Sequence, residues 1–249
     1  MNSSKYIIGF TAVLTAVVAL VLSLMYTGLK EKHKQNELLF EKRAMLAAIQ
    51  DKAGIDVSAM KDNDIIDFFK KNIEQLVVNT KGEVLSPEDV EKYGYKGGKA
   101  ENVDLKKEMK KTFDQRILPV YIYSAKNGDK VYILKLFGKG LWDEISGYLA
   151  LSSDLNTVVG ASFDHKGETP GMGAEMKDNP KFPAQFKGKK IYDESGKLIS
   201  INVRKGGAVD PEHDVDAISG ATLTSNGITN MLLSSLENYN SYLKKLKQN

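Results

Sequence analysis

Near its N-terminus the chain is apolar without any periodicity. From Tyr6 to Leu29, 24 residues pass without a charge. A helix of that length spans roughly 36 Å, enough to cross a hydrocarbon layer of about 30 Å with some tilt. A secretory h-region is shorter, about 7–15 residues, and ends at a small-residue cleavage site that does not follow Leu29. A retained membrane anchor is therefore the expectation. After Glu31 the pattern becomes amphipathic: Leu38, Leu39, Met45, Leu46 and Ile49 line one side of a helix predicted to run to Gln50. A second helix is predicted over Asp62 to Val78, where Ile65, Phe68, Phe69, Ile73, Leu76 and Val77 recur at helical spacing.

Past a Gly- and Lys-rich stretch from Gly94 to Ala100, read as an exposed loop, the period shortens to that of strands. Leu118 to Tyr123 and Lys130 to Phe137 flank Asn127-Gly128, a strong hairpin signal. Further strands are predicted over Ser146 to Leu151, Val158 to Phe163 and Leu198 to Val203, the last after a Ser195-Gly196 turn. A final helix is predicted from Asn226 to Lys247, with Ile228, Leu232, Leu236, Tyr239, Leu243 and Leu246 forming one apolar stripe. Strands in a run with helices at both ends predict an α+β fold: one transmembrane helix, then a single domain with an antiparallel sheet and helices packed to one side. The expected division is an anchor over 1–29, a helical membrane-proximal region over 30–80 and a ligand-carrying domain over 81–249.

Composition narrows the chemistry. Thirty-five Lys and Arg against 32 Asp and Glu leave a net charge of +3, which argues against a phosphate-binding stripe for nucleic acid. There is no cysteine, so disulfides, iron–sulfur ligation, thiol nucleophiles and Cys-based zinc sites are excluded. His33, His165 and His213 are far apart in sequence, and no metal site is expected.

Three segments could carry chemistry. The first, Asp216-Ala-Ile-Ser219-Gly220-Ala221-Thr222-Leu-Thr224-Ser225-Asn226, is a run of small and hydroxylic residues before the last helix. Its plainest reading is structural, with Thr224, Ser225 or Asn226 capping the helix and the glycine shaping a turn. The same geometry favours a phosphate at the helix start, beside the Thr222 alcohol. No glycine precedes Ser219 by two places, so a hydrolase elbow is not supported. The second, His165 to Gly173, contains Glu168-Thr169-Pro170-Gly171-Met172-Gly173. It lacks the third glycine of a dinucleotide fingerprint, and no Walker-type Gly-Lys-Ser/Thr occurs in the chain. A glycine-rich loop with a methionine and a carboxylate suits a planar heterocycle. The third, Gly138 to Asp143, holds the only tryptophan, Trp142. Lys205, before Gly206-Gly207, could place a cation near a phosphate.

Together these residues resemble the covalent FMN-binding domains. Asp216-x-x-Ser219-Gly220-Ala221-Thr222 is similar to the pattern at which flavin transferases attach FMN to threonine, and Glu168 to Gly173 resembles the second hallmark, with Met172 where Leu is commoner. Gly28-Leu29-Lys30, Gly138 to Trp142, Asp154-Leu155-Asn156-Thr157 and Asn179-Pro180-Lys181 extend the resemblance over essentially the whole chain, to the C subunits of sodium-translocating NADH:quinone oxidoreductases. The resemblance implies an FMN esterified through its phosphate to Thr222, with Ser219, Gly220, Ala221 and Thr224 around it. It implies that Glu168, Thr169, Gly171, Met172 and Gly173 lie against the isoalloxazine, with Trp142 and Lys205 nearby. Asp216 serves either transferase recognition or local structure.

The implied partners are the other subunits of the membrane complex, the membrane itself, and a flavin transferase using FAD and Mg2+. No residue is assigned to stand-alone catalysis. The implied location is the bacterial inner membrane, with the soluble domain periplasmic. Lys30, Lys32, Lys34, Lys42 and Arg43 after the anchor, against Lys5 before it, point the other way by the positive-inside rule, although large domains translocate largely regardless of charge. Two alternatives are the G subunit of the related ferredoxin:NAD oxidoreductase complex and a membrane-anchored scaffold that binds flavin reversibly.

Overall fold

A computed structural model describes residues 3–125 and 127–248. The first helix, α1 (Ser3–Ala53), contains the charge-free stretch, which is exposed and is long and apolar enough to cross a membrane. The chain divides into two compact units between Glu41 and Lys42. The last turns of α1, from Lys42 on, belong to the second unit, where Met45, Leu46, Ala48 and Ile49 are buried.

The second unit is built on a five-stranded antiparallel meander: β1 (Ile73–Asn79), β2 (Ile117–Ser124), β3 (Lys130–Lys139), β4 (Glu144–Leu151) and β5 (Val158–His165), in that order. The predicted hairpin is present: Ser124 pairs with Lys130 and Gly128 takes φ +90°, the left-handed conformation its turn requires. The fold class agrees with the sequence. The placement of the helices does not, because both faces of the sheet are covered. Leu118, Val120 and Ile122 of β2 join the large core beneath the last helix, α7 (Thr222–Gln248). On the opposite face Tyr121 meets Phe69 edge-on at 6.1 Å and Tyr148 at 6.3 Å, and Gly160 lies against the Ala48 carbonyl of α1. The seven-residue run Ile117 to Tyr123 is buried throughout, as a strand covered on both sides must be.

Three elements depart from the predicted pattern. The helix expected over Asp62 to Val78 stops early: α2 covers Asp62–Asn72, and Ile73 to Asn79 form β1 instead. Spacing alone did not separate these states, but β2 offers a full edge of N–H and C=O groups. Seven residues of β1 pair along that edge, burying Ile73, Val77 and Val78. The strand expected at Leu198 to Val203 shrinks to β6 (Asn202–Arg204), which pairs in parallel with β7 (Asp214–Asp216); Leu198 makes only a single bridge, to Tyr192. The Ser195-Gly196 turn forms as expected, with Gly196 N–H donating to the Asp193 carbonyl at 3.0 Å. The third departure, the start of α7, bears on function and is described below.

Short helices fill the connections. Between β1 and β2 lie α3 (Pro87–Lys92) and α4 (Leu105–Glu108), and the stretch from Gly94 to Ala100, read as an exposed loop, buries Tyr95 and Ala100. After β5, α5 (Glu175–Asp178) and α6 (Lys181–Ala184) close over the sheet edge, where Phe163, Phe182 and Phe186 pack ring to ring at 4.9–5.6 Å. At the turn between β4 and β5 the Asp154 carboxylate accepts from the hydroxyls of Ser152 and Thr157 and from the N–H groups of Asn156 and Thr157, at 2.5–2.8 Å. The Asn156 amide oxygen then accepts from Ile191 and Tyr192 N–H, tying this turn to the segment that leads toward β6.

Candidate functional site

The hydroxyl-rich run lies where β7 hands over to α7. Ala221 N–H donates to the Ile218 carbonyl at 3.1 Å, closing a four-residue turn with Gly220 at φ +72° in its third position. That geometry demands a residue free to adopt left-handed backbone. The helix then starts at Thr222, four residues earlier than its apolar stripe implied, and its first i→i−4 bond runs from Ser225 N–H to the Ala221 carbonyl at 2.9 Å. None of the three expected caps stands at the N-cap position, because the tertiary structure uses two of their hydroxyls. Ser225 Oγ accepts from Ile218 N–H at 3.2 Å, and Thr224 Oγ1 donates to Glu168 Oε2 at 2.6 Å. Thr222 is half-buried, while Ser219 and Gly220 are exposed and Ala221 is buried.

Glu168 brings the second and third segments to the same place. Its side chain is only 4% exposed, and its other oxygen, Oε1, accepts from Trp142 N–H at 3.0 Å. Its own N–H donates to His165 Nδ1 at 3.2 Å. The following loop is held by the Thr169 carbonyl, which accepts from the N–H groups of Met172 and Ala174, both at 3.1 Å. Thr169, Gly171 and Met172 face solvent and Gly173 is buried. Gly171 has φ +71° and open space where a Cβ would stand; a Cβ on Gly173 would sit 2.5 Å from Glu168 Oε2 and 2.7 Å from Thr224 Oγ1. Gly140 is equally constrained, since its Cβ would run into Glu168 and Ile145. Gly138 and Gly227 let β3 and α7 approach each other, each with a Cβ position 2.6 Å from the facing element. Sequence reasoning did not single out Gly140, Gly138 or Gly227 as site residues. The Gly-Lys-Gly spacing just before the lone tryptophan was the available signal.

The two loops and the first turn of α7 that converge on Glu168 carry large apolar side chains into solvent: Leu141 at 42% exposure, Trp142 at 66%, Met172 at 49% and Leu223 at 61%. Such a group beside a half-buried alcohol is a surface that asks for a partner or ligand. Asp216 and Lys205 stand to one side. The Asp216 carboxylate accepts from Ala208 N–H at 2.8 Å, and Asp216 N–H donates to Gln185 Oε1 at 2.9 Å, so this residue has a structural task. Lys205 is exposed, one residue past β6, in the loop that Asp216 holds. Asp214, at the base of the same loop, is fully buried. Burial pushes its carboxyl up, but N–H groups of Asp210 and Val209, the Asn202 amide and the Arg204 guanidinium outweigh this and hold it below the usual carboxylate range.

A family model described as an FMN-binding domain matches residues 140–237, from Gly140 into α7, and every site residue nominated from the sequence lies inside it. The C subunit of the Na(+)-translocating NADH-quinone reductase of Vibrio vulnificus is 36% identical over 237 residues, covering 91% of this chain and 88% of that protein. The chain belongs to this family of reductase C subunits. The Pseudomonas aeruginosa member is 35% identical over 239 residues, covering 89% and 88%. Among solved structures, the Parabacteroides distasonis member superposes with a TM-score of 0.72 at 34% identity, covering 86% of this chain and 96% of that one. The Shewanella oneidensis NqrC gives 0.66 at 27% identity, covering 88% and all of that chain. Within the family, the segment from Gly140 to Asp143, the loop from Glu168 to Gly173 and the first turn of α7 form the convergent surface of this chain.

Proposed function

We propose that this chain is the electron-carrying subunit of a sodium-translocating NADH:quinone reductase and holds one FMN, esterified through its phosphate to Thr222 Oγ1. One observation carries the reading. Thr222 is the first residue of α7, a half-buried alcohol at the positive end of a 27-residue helix whose next residue, Leu223, is exposed, as are Leu141 and Trp142 on one loop and Met172 on another.

The residues suit the group. The helix start favours a phosphate, and Trp142, Leu141, Met172 and Leu223 offer apolar surface to a flat heterocycle. Gly171 and Gly220, both with open space in place of a side chain, let a ring or a second protein approach the backbone. The flavin supplies the one-electron chemistry, and the protein's part is to place it and keep it placed. Thr222 fixes its phosphate end. The loop from Glu168 to Gly173, with Trp142, sets where the other end can lie.

In this reading a flavin transferase using FAD and Mg2+ exchanges the Thr222 hydroxyl proton for the FMN phosphoryl group and releases AMP. Asp216 shapes the loop that this enzyme must engage. The anchor, α1, sits in the bacterial inner membrane with the domain on the periplasmic side, and the other subunits supply and remove the electrons. The test is intact mass of the chain, co-expressed with and without a flavin transferase, beside Thr222→Ala. The expected result is a gain of one FMN less one water, only with the transferase and absent in Thr222→Ala. A folded wild-type chain that gains nothing in the presence of an active transferase refutes the covalent reading and leaves a scaffold that binds flavin reversibly.

A further inference from the structure

Glu168 is an unusual residue to find beneath a surface site. It is a carboxylate at 4% exposure with no Lys or Arg hydrogen-bond partner among the described residues, and the group at its far side is a neutral hydroxyl. Burying a carboxylate is costly unless donors surround it. An apolar side chain of similar volume would fill the same space without that cost. Two glycines, Gly140 and Gly173, are shaped around it, since a Cβ on either would strike the carboxylate. Both contacts are donors, one from the turn that carries Trp142 and one from the first turn of α7. The carboxylate thus hydrogen-bonds to each of these two segments, and it stands on the third, the loop that continues to Gly173.

Thr224 and Thr222 differ by two residues on one helical turn, which rotates them by about 200° around the axis. Pulling Thr224 inward onto Glu168 therefore turns Thr222 toward the outer side, and the exposures agree: Thr224 is 1% exposed and Thr222 half-buried. We propose that Glu168 is a positioning residue, a carboxylate strut that sets the rotation of the first turn of α7 and the seat of the Trp142 turn, and so aims the flavin carried by Thr222. It acts through Thr224 and the Trp142 N–H. The inference deepens the FMN reading, but it has consequences that can be read without flavin.

The test uses the full chain in detergent, with Glu168→Gln, Thr224→Val, the double variant and Thr224→Ser. Trp142 is the only tryptophan, so its fluorescence anisotropy reports the 140–143 turn directly. In the flavin-free chain, Glu168→Gln lowers that anisotropy. Glu168→Gln and Thr224→Val each speed amide exchange over residues 220–224 by about ten- to a hundredfold, the effect of losing one hydrogen bond to a charged group. The double variant is no worse than the poorer single, because both remove the same bond, and Thr224→Ser, which keeps the hydroxyl, behaves as wild type. In whatever fraction of each single variant is flavinylated, the visible flavin circular dichroism per bound FMN differs from wild type. A purely structural role predicts a lower Tm with wild-type Trp142 anisotropy, wild-type exchange over 220–224 and an unchanged flavin spectrum, and that result overturns the proposal. If Glu168→Gln does not fold, Thr224→Val and Thr224→Ser decide alone. Absence of the mass gain in wild type refutes the covalent flavin, whereas the flavin-free arm still decides the strut.

Discussion

Gly171 and Gly173 are two residues apart in one loop, and the structure requires glycine at each for a different reason. Replacing Gly173 by alanine places a Cβ 2.5 Å from Glu168 Oε2, 2.7 Å from Thr224 Oγ1 and 3.1 Å from Glu168 Cβ. Carbon and oxygen cannot approach so closely, so the carboxylate must move, and its 2.6 Å bond from Thr224 breaks. Losing a buried hydrogen bond to a charged group costs about 1.5–3 kcal/mol, and the forced shift of a packed loop adds about 1–3 kcal/mol. The sum is about 2.5–6 kcal/mol, and in a domain of roughly 200 residues each kcal/mol lowers Tm by about 2–4 °C. Gly173→Ala is therefore expected to lower Tm by about 5–24 °C. At Gly171 nothing lies within 4 Å of the added carbon, and the cost is that of holding alanine at φ +71°, about 1 kcal/mol or 2–4 °C. Thermal unfolding of both variants in detergent, followed by circular dichroism, makes the comparison. A Gly173→Ala chain within 2 °C of wild type, or a Gly171→Ala chain that is the less stable of the two, would refute the steric reasoning. Shortening Glu168 to Asp in the Gly173→Ala background should recover part of the loss if the clash is with the carboxylate.

Two further outcomes follow from side chains outside the site. At Asp154, burial would raise the carboxyl, but the Ser152 and Thr157 hydroxyls and two N–H groups outweigh it and hold it at about 2. A depressed folded value means the stabilisation is present above the unfolded value, 3.8, and fades as pH falls through about 2. Because the group is partly exposed, the contribution is screened to about 1 kcal/mol. Asp154→Asn should be the less stable chain by that amount at pH 7 and match wild type near pH 2 in denaturant titrations; a constant difference across that range is the contrary result. At Glu108, which is fully buried, one oxygen accepts from the Tyr95 hydroxyl at 2.5 Å and from Lys111 at 2.7 Å, and the other from Ile117 N–H at 3.0 Å. Glu108→Leu removes the acceptor shared by all three donors, leaving Ile117 N–H buried without it, and should cost about 3–5 kcal/mol. It should also let the Tyr95 phenol, now raised by burial and then by Glu108, titrate at lower pH in an ultraviolet absorbance titration. Unchanged stability would show that these bonds contribute nothing net.

What was legible in the sequence is what depends on neighbours along the chain. The 24 uncharged residues read as a helix able to span a membrane because length and apolarity need no tertiary context. Asn127-Gly128 fixed one hairpin, since its backbone preference is local. The last helix could be read from a stripe of six side chains, five of them in the core and Leu246 half-buried against it. Its true start at Thr222 could not, because the residues that decide it act across the fold: Ser225 is occupied by Ile218, and Thr224 by a carboxylate 56 positions earlier.

The same distinction explains Ile73 to Asn79. Their spacing suits a helix equally well, and only the open edge of β2, about 40 residues later in the chain, makes them a strand. It also explains Glu168. Proximity to glycines in sequence marked it as part of a binding loop, whereas the folded chain shows its oxygens turned inward to Trp142 and Thr224. The sequence by itself thus determined the residue types and local turns the site needs. Tertiary structure decided which of their polar groups are spent holding the loops together, as Thr224 Oγ1 and Ser225 Oγ are, and which residues, like the half-buried Thr222, stay toward the surface, because a buried donor or acceptor must find its partner wherever the fold places one.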